Sequence, residues 1–96
     1  MVTKTYFKTK DYVKVKFSVD ADTASSVKIL GLNNDWNTPV DLSKKKTGEF
    51  SVEVSLPKSS EHQFKYLVDE TSWINDPSAD GQVPDSFGGT NSAISL

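Results

Sequence analysis

Apolar and polar residues alternate one by one over three long stretches of the sequence. In DYVKVKFSVD, residues 11–20, valine or phenylalanine occupies every second position from 13 to 19, with lysine or serine between. GEFSVEVSLP at 48–57 and HQFKYLVD at 62–69 follow the same rule. Successive side chains of a β-strand point to opposite faces, so this period places one face of each strand in a core and the other in water. The sequence therefore predicts at least three amphipathic strands.

The rest of the chain extends this pattern. SSVKILG at 25–31 and SAISL at 92–96 are shorter strand candidates, and residues 1–11 are predicted to form an extra edge strand or a loose arm. Clusters of turn-forming residues separate the strands, and no segment has a capped helical period of ten residues or more. We expect one all-β domain over residues 1–96, an immunoglobulin-like antiparallel β-sandwich. Residues 76–91 are predicted to be a long loop without structure of its own, which is typical of functional or disordered segments.

Composition excludes several classes of function. The net charge is −2, and all eleven basic residues are lysine and are spread along the chain. A nucleic-acid partner is therefore not expected, because phosphates and guanine edges are normally recognised by arginine. The chain has no cysteine, so disulfides, thiolate metal sites and cysteine nucleophiles are excluded. No apolar run is long enough to span a membrane, and we expect a cytoplasmic monomer without cofactor or metal.

Both tryptophans lie in polar segments. Trp36 follows two asparagines and an aspartate, and Trp73 lies in TSWINDP. One interpretation is that each indole folds back as a lid over the end of the sandwich. The other is that each forms an exposed platform. A sugar ring suits such a platform, because its C–H face packs on an indole while its hydroxyls need nearby donors and acceptors.

Five motifs follow one another along the chain: GLNNDW at 31–36, GEF at 48–50, FKYLVD at 64–69, WINDP at 73–77 and FGGTNS at 87–92. In this order and spacing the chain resembles the glycogen- and starch-binding modules of the isoamylase N-terminal, or early set, type. Such modules also occur at the start of glycogen-branching enzymes and in the beta subunit of AMP-activated protein kinase. The resemblance runs from about residue 12 to the end of the chain. More narrowly, the chain resembles short bacterial proteins that consist of this domain alone.

The resemblance implies a non-catalytic module that binds α-1,4-glucans: glycogen, starch and maltooligosaccharides. Carried over by motif position, Trp36 and Trp73 would stack on successive glucose units. Lys65 and Asn91 would hydrogen-bond sugar hydroxyls, and Phe87 would place an apolar side chain beside the sugar. The partner is then an α-glucan, with a glycan-active enzyme as a second candidate partner.

Two positions depart from the family pattern. Asn33 stands where the family has phenylalanine, which predicts a different anchoring of the loop before Trp36. Glu70 stands where the family has glycine, with one added residue before Trp73, which leaves the reach of that indole open.

Catalytic and metal-binding interpretations find little support. A glycosidase needs two carboxylates flanking the scissile bond, whereas the acidic residues here are predicted on outward strand faces or in open loops. His62 is the single histidine and is predicted to be an exposed polar residue rather than a catalytic base. Asp76, Asp80 and Asp85 could bind calcium, but their spacing does not match the EF-hand loop, and turn chemistry is favoured.

The main alternative is an interaction module that binds no sugar. Such a domain would dock on a partner enzyme or subunit through a strand edge or an apolar patch around the same aromatic residues. The two hypotheses differ in one structural expectation. Sugar binding requires Trp36, Lys65, Trp73 and Asn91 to converge on one open face, and a buried indole would favour the interaction module.

Overall fold

A computed structural model describes all 96 residues of the chain. It contains one 3₁₀ turn at Leu32–Asn34 and ten strands: β1 (Val2–Tyr6), β2 (Tyr12–Asp20), β3 (Val27–Leu30), β4 (Val40–Asp41), β5 (Ser43–Lys44), β6 (Glu49–Pro57), β7 (Glu61–Val68), β8 (Ser72–Ile74), β9 (Gly81–Pro84) and β10 (Thr90–Ser95). None of its helical segments has the length and hydrophobicity needed to cross a membrane.

The strands form two antiparallel sheets. One has the order β1-β2-β6-β5, and the other has the order β4-β3-β7-β10-β9. The short strand β8 pairs with the C-terminal half of β7, while β10 pairs with its N-terminal half. The prediction of an all-β antiparallel sandwich is confirmed.

The predicted alternation creates the core. The inward residues of β2 and β6 meet those of β3, β7 and β10 in one cluster of thirteen buried side chains, which also includes three residues from between the strands: Ala24, Leu32 and Leu42. Phe17 of the first sheet packs edge-on against Phe64 of the second, with ring centroids 5.2 Å apart. Phe64 in turn contacts Tyr66 edge-on at 5.5 Å. Edge-to-face pairs of this kind add to the stabilisation from buried area, and the Phe17–Phe64 pair joins the two sheets.

The segment 76–91 differs from its prediction as a long unstructured loop. Residues 81–84 form β9, which pairs with β10 over four residue positions. This strand escaped detection because its sequence, GQVP, has a single large apolar residue and lies between turn signals. Its pairing with β10 supplies the order that its own sequence does not predict.

His62 is buried, and the prediction that it is exposed was wrong. It lies on β7 in phase with Phe64 and Tyr66, so its side chain points into the sandwich and is 6% exposed. Its Nε2 lies 2.8 Å from Ser60 Oγ, and its Nδ1 accepts the Asn33 backbone N–H at 3.1 Å. Burial lowers the pKa of His62, so the ring is neutral at pH 7.

Asp76 is also buried, at 1% exposure, which corrects the expectation that every acidic residue lies outward or in an open loop. Its carboxylate accepts hydrogen bonds from the Tyr66 hydroxyl at 2.6 Å and from the backbone and hydroxyl of Ser78. It also forms an ion pair of 2.9 Å with the amino group of Met1. Burial opposes ionisation of Asp76, but the hydrogen bonds from Tyr66, the amino group and Ser78 outweigh it and lower the pKa.

Candidate functional site

The outer face of β7 forms the floor of the candidate site. Phe64 and Tyr66 point into the core, so Gln63 and Lys65, one residue removed, point to the opposite face. Leu30 of β3 lies opposite Lys65 on one side of β7. The floor is therefore set by the same alternation that sets the core.

The loop after β3 places Trp36 beside this floor. Gly31 adopts a left-handed conformation with φ of 108°, and its N–H donates to the Asp35 carbonyl at 3.0 Å, which closes the loop. The Asp35 carboxylate accepts the backbone N–H groups of Asn37 and Thr38, an arrangement that caps the following turn. The Trp36 ring lies directly against Gly31, and a Cβ on that glycine would lie 2.7 Å from the ring. Trp36 is half-buried as a result.

Asn33 anchors the loop before Trp36 through its backbone. Asn33 and Asn34 both have φ of 57°, a left-handed conformation that asparagine tolerates better than phenylalanine. The Asn33 N–H donates to His62, which fixes the loop to β7. This hydrogen bond anchors the loop through the backbone of Asn33.

Trp73 lies on a strand and not in the polar loop in which the sequence placed it. Asp69 and Glu70 have φ of 52° and 60°, and the Thr71 N–H donates to the Val68 carbonyl at 3.1 Å. Two consecutive left-handed residues enclosed by this hydrogen bond form a type I′ turn, which reverses the chain between β7 and β8. The turn starts β8 in a register that sets Trp73 opposite Leu67, on the outer face of β7. The indole is 51% exposed.

Asp85 organises the loop between β9 and β10. Its Oδ2 accepts a hydrogen bond from Lys65 Nζ at 2.7 Å, and its Oδ1 accepts the N–H groups of Phe87 and Gly89 at 2.8 and 2.9 Å. The hydrogen bond from Lys65, aided by these two N–H groups, lowers the pKa of Asp85 to about 2. The carboxylate is therefore ionised at neutral pH. Phe87, at the tip of the loop, is 95% exposed.

Asn91 completes the site from β10. It pairs in register with Val83 of β9, and its Nδ2 donates to Gln63 Oε1 at 3.2 Å across the floor. This contact holds two side-chain amides together on the outer face while leaving donor and acceptor positions on both free.

All five residues singled out in the sequence line one groove on this face. The groove has a volume of about 680 Å³ and is lined by Trp36, Gln63, Lys65, Trp73, Pro84, Asp85, Ser86, Phe87 and Asn91. It combines three aromatic rings with amide, hydroxyl and ammonium groups. Neither indole is buried, and no group of three metal-ligating side chains occurs anywhere in the chain.

Four lining residues were not identified from the sequence. Gln63 could have been found, because it precedes Lys65 by two positions and shares its strand face. Asp85 was considered only as a calcium ligand, and its contact with Lys65 across twenty residues leaves no local signal. Pro84 and Ser86 flank Asp85 in a segment that was predicted to be unstructured.

Comparison with known proteins is decisive for the family. The family described as the glycogen recognition site of AMP-activated protein kinase matches residues 13–96. The chain belongs to this family. The glycogen recognition family is a class of carbohydrate-binding module, so the resemblance noted in the sequence is confirmed. No curated protein sequence gives a match to the chain.

Solved structures share the fold of this glycogen recognition module at low identity. The enterobactin esterase of Shigella flexneri matches with a TM-score of 0.78 and 11% identity, over 99% of this chain and 32% of the esterase. The pullulanase SAP of Group B Streptococcus matches with a TM-score of 0.68 and 17% identity, over 100% of this chain and 14% of the enzyme. The pullulanase of Bacillus acidopullulyticus matches with a TM-score of 0.66 and 23% identity, over 94% of this chain and 11% of the enzyme. The module thus corresponds in each case to a minor part of a longer protein.

Proposed function

We propose that the groove binds α-1,4-glucans, with Trp36 and Trp73 as stacking platforms for the C–H faces of glucose units. The observation that carries this proposal is that Trp36, Lys65, Trp73, Phe87 and Asn91 line one open groove. These residues come from four separate segments of the chain. Membership of a glycogen recognition family supports a glucan as the ligand.

The polar groups of the groove suit a neutral ligand rich in hydroxyls. The positive charge of Lys65 is paired with the carboxylate of Asp85. The remaining N–H groups of the Lys65 ammonium can donate to sugar hydroxyls. The Asn91 and Gln63 amides offer both donors and acceptors. Phe87 supplies an almost fully exposed apolar ring at the rim, where a sugar could cover it.

We propose that the domain is not catalytic. Asp85 is the one carboxylate that lines the groove, and its low pKa removes the proton that a general acid would need. Glycoside hydrolysis needs a second carboxylate on the other side of the bond. Incubation with maltooligosaccharides or glycogen should leave the chain-length profile unchanged, and any product that accumulates with time would contradict this proposal.

The interaction-module hypothesis is the weaker of the two. A buried indole would have favoured it, whereas Trp73 is half-exposed and Trp36 is partly exposed. A glycan-active enzyme is still a reasonable partner, because similar folds occur as parts of two pullulanases. We expect the domain itself to be a monomer that brings such an enzyme to its polysaccharide.

A titration with maltoheptaose, followed by tryptophan fluorescence, tests sugar binding directly. A shallow groove buries little of the ligand, and the entropy lost on association offsets much of the contact energy. We therefore expect a Kd on the order of 10 μM to 1 mM, or about 4 to 7 kcal/mol. Cellohexaose, whose β-linked chain is straight, should give no comparable response. Absence of any response to millimolar maltoheptaose would contradict the proposal.

Alanine substitutions separate binding from stability. Trp73→Ala should abolish binding at a small cost in stability, because half of the side chain is already in water. Trp36→Ala should abolish binding and lower the free energy of unfolding by about 1 to 2 kcal/mol, since its ring packs on Gly31. Tyr6→Ala is the matched control, because Tyr6 is an aromatic residue with 56% exposure on the other sheet. It should leave affinity unchanged.

A further inference from the structure

We infer that Asp85 is the positioning residue of the groove, setting Lys65 and the Phe87 loop in place together so that the groove is formed before ligand arrives. This inference rests on the proposed function. It assigns a binding role to a carboxylate that need not touch the sugar.

The two carboxylate oxygens of Asp85 serve different parts of the site. Oδ2 accepts from Lys65 Nζ at 2.7 Å, which fixes an ammonium that projects from β7. Oδ1 accepts from the backbone N–H groups of Phe87 and Gly89 at 2.8 and 2.9 Å, which fixes the rim loop. The Asp85 side chain is only 9% exposed, so solvent screens these contacts weakly. One side chain therefore links the floor of the groove to its rim.

Apart from the Asp85 carboxylate, the rim loop has one further backbone hydrogen bond, from the Asp85 N–H to the Gly89 carbonyl at 3.0 Å. Lys65 has a long side chain with many rotamers, and its ammonium makes its one hydrogen bond with Asp85. Phe87 is 95% exposed, so packing does not hold it. The residues after Phe87 are Gly88 and Gly89, which give the backbone wide conformational freedom. Without Asp85, both groups would have to be ordered by the ligand, and affinity would fall by the cost of that ordering.

The variants Asp85→Asn and Asp85→Ala separate the two roles. Asparagine keeps an oxygen that can accept from the Phe87 and Gly89 N–H groups, but its amide N–H cannot accept from Lys65. We expect Asp85→Asn to weaken maltoheptaose binding by about three- to tenfold. Alanine removes both sets of contacts, and Asp85→Ala should weaken binding by about tenfold or more.

The same substitutions made in the Lys65→Ala variant show whether each effect on affinity acts through Lys65 or through the Phe87 loop. If Asp85 acts through Lys65, Asp85→Asn should change the affinity of Lys65→Ala by less than about twofold, because its partner is already gone. Asp85→Ala should still weaken Lys65→Ala through the loop. The amide N–H groups of Phe87 and Gly89 should also exchange faster in Asp85→Ala, a readout that needs no sugar.

Asp80→Asn is the matched control. Like Asp85, Asp80 accepts from a lysine, Lys4, at 2.6 Å and from a backbone N–H, that of Ser95, at 2.7 Å, but it does not line the groove. It should leave affinity unchanged. All variants are compared at temperatures where circular dichroism shows them folded, and Asp85→Asn carries the test if Asp85→Ala does not fold.

The outcomes distinguish the two proposals. If the wild-type protein does not respond to maltoheptaose, the proposed function fails and this inference fails with it. If the wild type binds and Asp85→Asn binds equally well, only the positioning role is overturned. It is also overturned if Asp85→Asn weakens binding by the same factor with and without Lys65, because Asp85 would then act by another route.

Discussion

The position of the Trp36 indole depends on the absence of a side chain at Gly31. A Cβ on Gly31 would lie 2.7 Å from the Trp36 ring and 2.4 Å from the Gln63 carbonyl oxygen. The φ of 108° is itself unfavourable for any other residue. A glycine that looks like an ordinary strand terminator in the sequence therefore determines how closely the Trp36 ring approaches the sheet.

Gly31→Ala should lower the free energy of unfolding by about 3 kcal/mol or more, since backbone strain adds to steric overlap. It should also displace Trp36 and weaken maltoheptaose binding. Gly88 has φ of 86° and open space around it, so Gly88→Ala introduces backbone strain without steric overlap. It should lower the free energy of unfolding by about 1 kcal/mol. Gly81→Ala introduces neither backbone strain nor steric overlap and should be neutral or slightly stabilising. Chemical denaturation of the three variants would show whether this order holds, and equal losses at Gly31 and Gly88 would contradict it.

His62 makes stability depend on pH. Burial lowers its pKa in the folded state, so between that value and the ordinary pKa of about 6.5 the unfolded chain binds more protons than the folded one. Stability should therefore be fully present above about pH 6.5 and fall as pH decreases through this range. Protonation also turns the Nδ1 acceptor of the Asn33 N–H into a donor. The Asn33 amide resonance should shift over the same range.

His62→Asn provides the comparison for this pH dependence, because asparagine keeps an acceptor near Nδ1 and does not titrate. Unfolding free energies of the two proteins should be measured from about pH 7.5 to about pH 5. The wild type should lose more stability than His62→Asn over this interval. Parallel curves would show that His62 is not responsible.

At the scale of elements, β7 is the strand on which core and groove are both built. Its inward residues pack against β2 and its outward residues form the floor of the groove. Its C-terminal half carries β8 through a turn of two left-handed residues, which brings Trp73 to the same face. The Asp76 carboxylate ties the segment after β8 back to Tyr66, and the Asp76 N–H donates to Ser92 of β10 at 2.8 Å. Buried polar contacts thus hold β8 beside β10.

Tyr66→Phe should lower the free energy of unfolding by about 1.5 to 3 kcal/mol, the range for a hydrogen bond to a charged group. The substitution removes only the hydroxyl that donates to Asp76 and leaves a buried carboxylate with one partner fewer. Tyr6→Phe removes the same atom from an exposed residue with no recorded side-chain hydrogen bond and should cost almost nothing. Thermal unfolding of both variants would check this. If Tyr66→Phe is as stable as Tyr6→Phe, the Tyr66–Asp76 hydrogen bond does not contribute to stability.

At the scale of the whole molecule, the two sheets have different tasks. Every residue of the groove comes from the sheet β4-β3-β7-β10-β9, from β8, or from their connecting loops. The sheet β1-β2-β6-β5 contributes the other half of the core and none of the groove. Its edge strand β1 pairs with β2 over five residue positions, and Val2 packs against the core.

Deletion of residues 1–10 should therefore separate stability from binding. We expect the free energy of unfolding to fall by about 1 to 3 kcal/mol, through lost strand hydrogen bonds, loss of the ion pair between the Met1 amino group and Asp76, and the exposure of apolar surface around Val2. The Kd for maltoheptaose should remain within about twofold of the intact chain, because no groove residue is removed. A large loss of affinity in a folded deletion variant would mean that the first sheet contributes to the site.

The sequence by itself determined the all-β sandwich, the inward faces of the long strands and the family, because side-chain alternation and motif spacing can be read along the chain. It also identified five residues that the structure brings to one groove. The same alternation placed His62 on the inner face, although its polarity suggested the surface. For His62, its position in the alternation of the strand predicts burial correctly, whereas its residue type does not.

Only the tertiary structure decided how these parts meet. The pairing of β8 with β7 set the direction of Trp73, the pairing of β10 with β9 gave order to residues 81–84, and the fold brought Lys65 to Asp85. It also buried Asp76 among partners that come from separate segments. Contacts between residues ten, twenty or more positions apart depend on strand register and loop closure, which the collapse of the whole chain fixes and no short stretch of sequence contains.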